Sequence, residues 1–208
     1  MHGTPLASEI VRDSFGDIDI YLFDQLARGR FDRRRRVLDA GCGGGRNLLF
    51  FLMNGFDVWA VDRDPHAVSE VQHLAEMLNP DLPSNRIQCA PLDALPLADE
   101  SVDAVICSAV LHFARDMSDF TAMLREMWRT LAPGGLFFAR LATSIGIETL
   151  VTAPVGVVRL PDGSDRFIVD EPTLLHLTAT LGGVLLDPLK TTNVQNQRCM
   201  TTWVLEKP

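Results

Sequence analysis

A glycine-rich stretch and three spaced carboxylates are where this chain could do chemistry. Residues 37–47 read VLDAGCGGGRN, with Asp39 near the end of an apolar run and Gly41, Gly43, Gly44 and Gly45 close behind it. Glycines that dense let a ligand approach the backbone, because no Cβ stands in the way. Asp62 ends the next apolar run, and Asp93 follows the one after that. Of two phosphate readings of the loop, one fails on its residues and the other is disfavoured by them. A phosphate-cradling G-x-x-x-x-G-K-[ST] loop needs a lysine, and the first lysine in the chain is Lys190. A dinucleotide G-x-G-x-x-G/A loop keeps its last position small so that helix and strand pack closely, and Arg46 occupies that place. A cofactor with no pyrophosphate remains. Asp39 suits a positive group on it, and the loop N–H groups and following helix N-terminus suit a carboxylate.

These residues need a scaffold, and the pattern around them is a βα alternation. Residues roughly 18–29 (IDIYLFDQLARG) read as a helix or helical turn, and RRVLDAGC as a strand running into the glycine loop. RNLLFFLMNG reads as a helix stopped by Asn54-Gly55, and FDVWAVD as the second strand. Asp64-Pro65 opens a helix whose apolar face is Ala67, Val68, Val71, Leu74, Ala75 and Leu78. NRIQCA and SVDAVICSAV are the third and fourth strands, the latter apolar throughout, as a strand covered on both faces should be. Phe120, Met123, Leu124, Met127, Trp128 and Leu131 mark another helix, ended by APGG and followed by the strand LFFARLA. After a helix in DEPTLLHLTATLGG come VLLDPLKTTNV and CMTTWVLEK, with no helix between them. The sum is an α/β chain: a Rossmann-like, doubly wound, mostly parallel seven-stranded sheet with an antiparallel C-terminal hairpin and helices on both faces. Residues 1–34 read as an N-terminal helical segment or cap, and 35–208 as the main domain. Within it, residues 143–168 fit no element and read as a substrate loop or lid.

Composition narrows the classes. At 47% hydrophobic the 208 residues can bury a real core. A formal net charge of −8 disfavours generic nucleic-acid binding. The start MHGTPLASEI lacks the basic and apolar regions of a signal peptide, and no apolar run approaches the ~18 residues of a membrane span. Cys42, Cys89, Cys107 and Cys199 are scattered, without metal-binding or disulfide spacing, so a reducing, cytoplasmic setting is expected.

Asp39-Ala-Gly41-Cys-Gly43-Gly-Gly45 matches an acid-x-Gly-x-Gly-x-Gly loop at every position. With Asp62, with Asp93 in APLDALPL, with SVDAVICSAV and with LREMWRTLAPGGLFF, residues roughly 35–142 resemble the class I S-adenosylmethionine-dependent methyltransferases, in particular the small-molecule branch related to methyltransferase-11 type domains. The resemblance implies S-adenosylmethionine as cofactor and S-adenosylhomocysteine as product. It implies binding roles for Asp39, Gly41, Gly43, Asp62, Asp93 and the Ser108 region. Asp39 would act on the cofactor's ammonium, Asp62 on the ribose hydroxyls and Asp93 on the adenine amine. Arg63 could cover one adenine face, and Leu92 and Ala94 could offer backbone and apolar contact. Cys42 is a small residue within the loop and lacks the activating base a nucleophilic thiol needs.

The acceptor is less legible. His112 follows the fourth strand, near where the transferred methyl should sit, and could take a proton from an attacking O, N or S atom. It could equally line the cleft or donate to backbone. Arg140, late in the fifth strand, could meet an anionic substrate or pair with an internal acid. Six arginines between residues 28 and 36 read as a connector whose stems cover apolar surface rather than as a phosphate-binding patch. SAVLHF lacks the proline-rich motif of nucleobase and glutamine amine methylation, and Cys107 lacks the proline beside a base-carbon nucleophile. No acid follows the fourth strand until Asp116, so no metal is expected. A small-molecule methyl acceptor is left by elimination. The other readings kept open are a noncatalytic S-adenosylmethionine-binding protein and, disfavoured by Arg46, an NAD-dependent oxidoreductase.

Overall fold

Alternate residues of the central strands face opposite layers, and that two-residue period decides where the helices pack. In the computed structural model, which describes residues 6–208, the strands β1 (Arg36–Ala40), β2 (Asp57–Asp62), β3 (Ile87–Cys89), β4 (Val102–Ser108) and β5 (Leu131–Thr143) are parallel. β10 (Arg198–Glu206) pairs antiparallel with β5 and with the short β8 (Val184–Leu185), giving the order β3-β2-β1-β4-β5-β10-β8. On β5, Phe137 enters one core with Trp203 of β10, their ring centroids 5.6 Å apart, while Phe138 enters the other with Val204. Helices α5 (Met117–Thr130) and α6 (Glu171–Thr180) cover the first face through Phe120, Leu124, Trp128, Leu174 and Leu177. Helices α2 (Ile20–Ala27), α3 (Leu49–Met53) and α4 (Pro65–Leu78) cover the second through Leu22, Phe51 and Val71. Full burial of each such side chain stabilises by about 1.5–3 kcal/mol.

The helix starts follow their capping residues. Asp64, Asp116 and Asp170 each accept a backbone N–H of the first turn, from His66, Asp119 and Thr173 at 2.8–2.9 Å. Such caps contribute about 1 kcal/mol apiece.

The structure departs from the sequence expectations in three places. The N-terminal segment holds two helices, α1 (Ala7–Phe15) and α2, where one was expected; Gly16, at φ +58°, ends the first. The C-terminal edge is broken into β8 (Val184–Leu185) and β9 (Lys190–Val194), both paired with β10, so the sheet has eight strands rather than seven. Pro188 lies in the break and has no N–H to give a ladder. Residues 143–168 are not irregular throughout: β6 (Gly156–Arg159) and β7 (Asp165–Ile168) form an antiparallel hairpin. Its turn, Pro161-Asp162-Gly163, has Gly163 at φ +83° and the Asp162 carboxylate accepting from Ser164 N at 2.9 Å, which is turn chemistry the sequence carried openly.

The arginine run ties the connector to the base of the sheet. Arg28 and Arg30 reach Asp187, and Arg34 reaches Glu206 and the Gly134 carbonyl. Arg36 pairs with Asp103, and Arg35 lies over the Phe56 ring at 3.7 Å. Among the described residues, no helix is long and apolar enough to cross a membrane.

Candidate active site

In an open α/β sheet the ligand crevice lies where the strand order reverses, at the carboxyl ends of the strands. Here that point falls between β1 and β4, so the glycine loop after Ala40 and Ser108 at the end of β4 face each other across it. A cavity of about 740 Å³ opens there, a size typical of small-molecule sites. Of the residues singled out in the sequence, Gly41, Cys42, Gly43, Asp62, Arg63, Leu92, Asp93 and Ser108 line it. Asp39, Ala94 and His112 do not.

The loop is shaped by close approach. Gly41 sits at φ +79°, and a Cβ there would lie 2.6 Å from Val110 of the opposite wall. Its N–H, like that of Cys42, bonds the Val61 carbonyl. Gly43 is the contrary case, since a Cβ on it would meet nothing within 4 Å, leaving its backbone open to the cavity. Asp62 holds the loop from β2: one oxygen accepts from Gly43 N and the other from Asp64 N, each at 2.9 Å. Asp93 is exposed on a turn that no helix follows, so it caps nothing. Leu92 beside it is buried.

Asp39 lies beneath the loop and is 1% exposed. Burial lifts its carboxyl to about 7; Arg46 opposes that rise and Asp62 adds to it. Its Oδ2 has no hydrogen-bond partner among the described residues. A buried carboxylate oxygen without a partner is costly, and beneath a ligand loop it suits a cation brought by the ligand. The Cys42 thiol is pushed up by burial and by Asp39 and Asp62, so it stays protonated. Open glycine backbone, a held ribose-type carboxylate and an unsatisfied acid under the loop fit S-adenosylmethionine.

Asp19, one of the acids of the N-terminal stretch DIDIYLFDQL, organises the other end. It is 3% exposed, and its Oδ2 accepts from Ser108 Oγ at 2.9 Å and from Arg140 Nη1 at 3.3 Å. Arg46 donates to Ser108 at 3.0 Å and lies 3.6 Å from the same Asp19 oxygen. The side chain that argued against a dinucleotide therefore links the loop to the N-terminal segment. Asn47 accepts from Asp19 N at 3.0 Å, and Asp19 caps α2 by accepting from Tyr21 N. The Tyr21 hydroxyl in turn bonds Thr192 of β9. Arg140 thus pairs with an internal acid, as one of its two readings had it.

Two further wall residues are Ala109, at φ +65°, and Phe113, 53% exposed. A non-glycine residue in the left-handed region stores strain, and such residues gather at functional sites. His112 is 6% exposed, with its ring 4.6 Å from that of Phe113 and its Nδ1 unpartnered. Burial, then Arg166, Arg140 and Arg198, push its pKa down to about 4. Among the described residues, no group of three or more His, Cys, Asp or Glu side chains is arranged to hold a metal ion.

A family model described as a methyltransferase domain matches residues 38–139. The chain is 32% identical over 119 residues to the uncharacterized methyltransferase YodH of Bacillus subtilis, covering 57% of this chain and 45% of that protein. It is 38% identical over 119 residues to a malonyl-[acyl-carrier protein] O-methyltransferase of Halorhodospira halophila, covering 56% and 37%. It thus spans less than half the length of these curated relatives. Its fold is that of the Burkholderia thailandensis 1,6-didemethyltoxoflavin-N1-methyltransferase, solved with its substrate and S-adenosylhomocysteine, at a TM-score of 0.67 and 20% identity over 99% of this chain and 93% of that one. The loop, the acids that follow it and the matched segment agree: residues 38–139 form a methyltransferase domain, on the fold of S-adenosylmethionine-dependent methyltransferases.

Proposed function

We propose that the chain transfers a methyl group from S-adenosylmethionine to a small-molecule acceptor. The observation that carries this reading is the cavity at the β1/β4 reversal, sized for a nucleoside cofactor and lined by Gly41, Gly43, Asp62, Leu92 and Asp93. Bound there, S-adenosylmethionine supplies a methyl on an already activated sulfonium, open to in-line displacement. The protein's task is then alignment and exclusion of water, and orientation of this kind is worth roughly 7–11 kcal/mol.

In this reading the Asp62 carboxylate keeps lone pairs beyond its two backbone N–H bonds and accepts from the ribose hydroxyls. Asp93 and the Leu92 backbone meet the adenine, with Arg63 over its face and Ala94 behind them. Asp39 balances the ammonium from beneath the loop. Ser108, fixed by Asp19 and Arg46, faces the amino-acid end. His112, neutral behind Phe113, supports the acceptor wall. The N-terminal segment through Tyr21, and the β6–β7 hairpin, which packs on the turn bearing His112 and Phe113, close the acceptor side. By their names, the relatives act on a malonyl oxygen and on a toxoflavin precursor's N1, so they leave the acceptor of this chain open. The net charge of −8 and the internal pairing of the arginine run support a small molecule over a nucleic acid.

Calorimetry with S-adenosylmethionine, S-adenosylhomocysteine and NAD tests the cofactor, and S-adenosylhomocysteine release over an acceptor panel tests turnover. Micromolar binding of the first two and none of NAD is expected. Binding of NAD alone would overturn the reading.

A further inference from the structure

A cation backs the Phe113 end of the cavity, and the wall there lacks a base. If Asp62, Asp93 and the glycine loop take the cofactor, one stretch of wall left for the acceptor is Ser108, Ala109, Val110 and Phe113. Nothing on that wall accepts a proton at neutral pH: the Ser108 hydroxyl is held between Asp19 and Arg46, and the other three side chains are hydrocarbon. The third lining carboxylate, Asp119, sits apart, clasped by Arg115 at 2.9 Å.

Behind this wall the charges do not balance. The Arg166 guanidinium of β7 lies over the Phe113 ring at 4.9 Å, and its hydrogen bond goes to the Asp165 backbone carbonyl. Among the described residues it pairs with no carboxylate. Arg140 shares its single acid, Asp19, with Arg46, and its buried Nε has no partner. Lys190 lies 5.7 Å over the Tyr21 ring, also without an acid. Arg198 alone of the nearby cations has an acid of its own, Asp162. Burial keeps His112 neutral, and Arg166, Arg140 and Arg198 add to that. A guanidinium with no carboxylate partner, beside a half-exposed phenyl ring, matches a ligand with a hydrocarbon body and an anionic end, since the planar donor fork suits a carboxylate.

We propose that the methyl acceptor is a carboxylic acid, its carboxylate held at the Phe113 end of the cavity by Arg166. This rests on the methyltransferase reading above and names its substrate class. A carboxylate is ionised at neutral pH and needs no base, which matches a wall that offers none. A phenol would have to lose a proton that no group there accepts, and an amine, mostly ammonium at neutral pH, would meet repulsion. In the step, a carboxylate oxygen forms the new O–CH₃ bond as the S–CH₃ bond breaks and its electron pair returns to sulfur; the products are a methyl ester and S-adenosylhomocysteine, with no proton released.

The test uses the full chain, with and without saturating S-adenosylhomocysteine. It is titrated with acetate, hexanoate, dodecanoate, benzoate, phenylacetate and succinate, each against its amide. At least one acid should bind tenfold or more tighter than its amide. Arg166→Gln should erase that preference, Arg166→Lys should keep most of it, and both should leave the affinity for S-adenosylmethionine within twofold of wild type. With S-adenosylmethionine and the preferred acid, the product should release methanol on alkaline hydrolysis, and Arg166→Gln should raise KM far more than it lowers kcat. No acid preferred over its amide in either state, or turnover of amines or phenols with every acid inert, would overturn the proposal. Failure to bind S-adenosylmethionine is read separately and counts against the methyltransferase reading alone.

Discussion

At the scale of single residues, two positions under the cofactor loop carry sharp consequences. Gly41 combines φ +79° with a Cβ position 2.6 Å from Val110. Gly41→Ala therefore meets both backbone strain and a clash, a loss of about 2–4 kcal/mol. Val110→Ala in the same chain should restore part of the loss by removing the clash and none of the strain, which thermal unfolding of the two variants measures. Asp39 differs in being a pH effect. Its folded pKa of about 7 stands above the usual value of 3.8, so the folded state holds the proton more tightly than the unfolded chain. Stability is then lost as pH rises from about 4 to 7 and is level beyond that. Asp39→Asn should gain on wild type by about 3–4 kcal/mol between pH 4 and pH 8 in the cofactor-free protein. The same variant should bind S-adenosylmethionine at least tenfold more weakly, because the acid is kept for the ligand's cation. Denaturant melts at the two pH values and calorimetry check both halves; a flat difference between variants across that range would exclude the buried-acid account.

At the scale of elements, the N-terminal helices differ in what holds them. α1 buries none of its residues, although Phe15 at its end stacks on Phe50 with centroids 5.3 Å apart. α2 begins at the buried Asp19 and inserts Leu22 into the core. Removing residues 1–14 should therefore shift the unfolding midpoint little. Asp19→Ala leaves Arg46 and Arg140 facing each other without their shared acid, and breaking such a buried arrangement costs about 3 kcal/mol. The ranking is read by melting the two proteins side by side, and a truncation more damaging than the point substitution would contradict it. Asp19→Ala should also weaken the cofactor complex, since Ser108 loses its anchor.

At the scale of the whole molecule, cofactor binding should stabilise the fold by mass action. S-Adenosylmethionine at 100 times its Kd adds about 2.7 kcal/mol, which for a domain of this length raises Tm by about 5–10 °C. NAD at the same concentration should leave Tm unchanged, and differential scanning fluorimetry distinguishes the two. The increment should persist in the Asp103→Asn variant, which loosens the Arg36 pair at the opposite edge of the sheet from the cavity.

The sequence by itself determined the parallel core of this protein and the nature of its loop. Apolar runs ending in Asp39, Asp62 and Ser108 report strands buried on both faces, and Arg46 in place of a small residue already disfavours a dinucleotide. These are local properties: periodicity records which side of the backbone is buried, and glycine spacing records where a backbone must be bare. The hairpin of residues 156–168 is also written locally, in Pro-Asp-Gly, but strands of 4 residues carry too short an alternation to stand out in the sequence. The tertiary structure alone decided which distant polar groups meet. Asp19 finds Ser108 across 89 residues and Arg140 across 121. Asp39 goes beneath the loop rather than into the cavity, and His112 goes behind Phe113. Strand pairing sets those meetings, placing Ser108 beside Arg140 on adjacent strands, and no local pattern encodes which charge lies within reach of which acid once the sheet has closed.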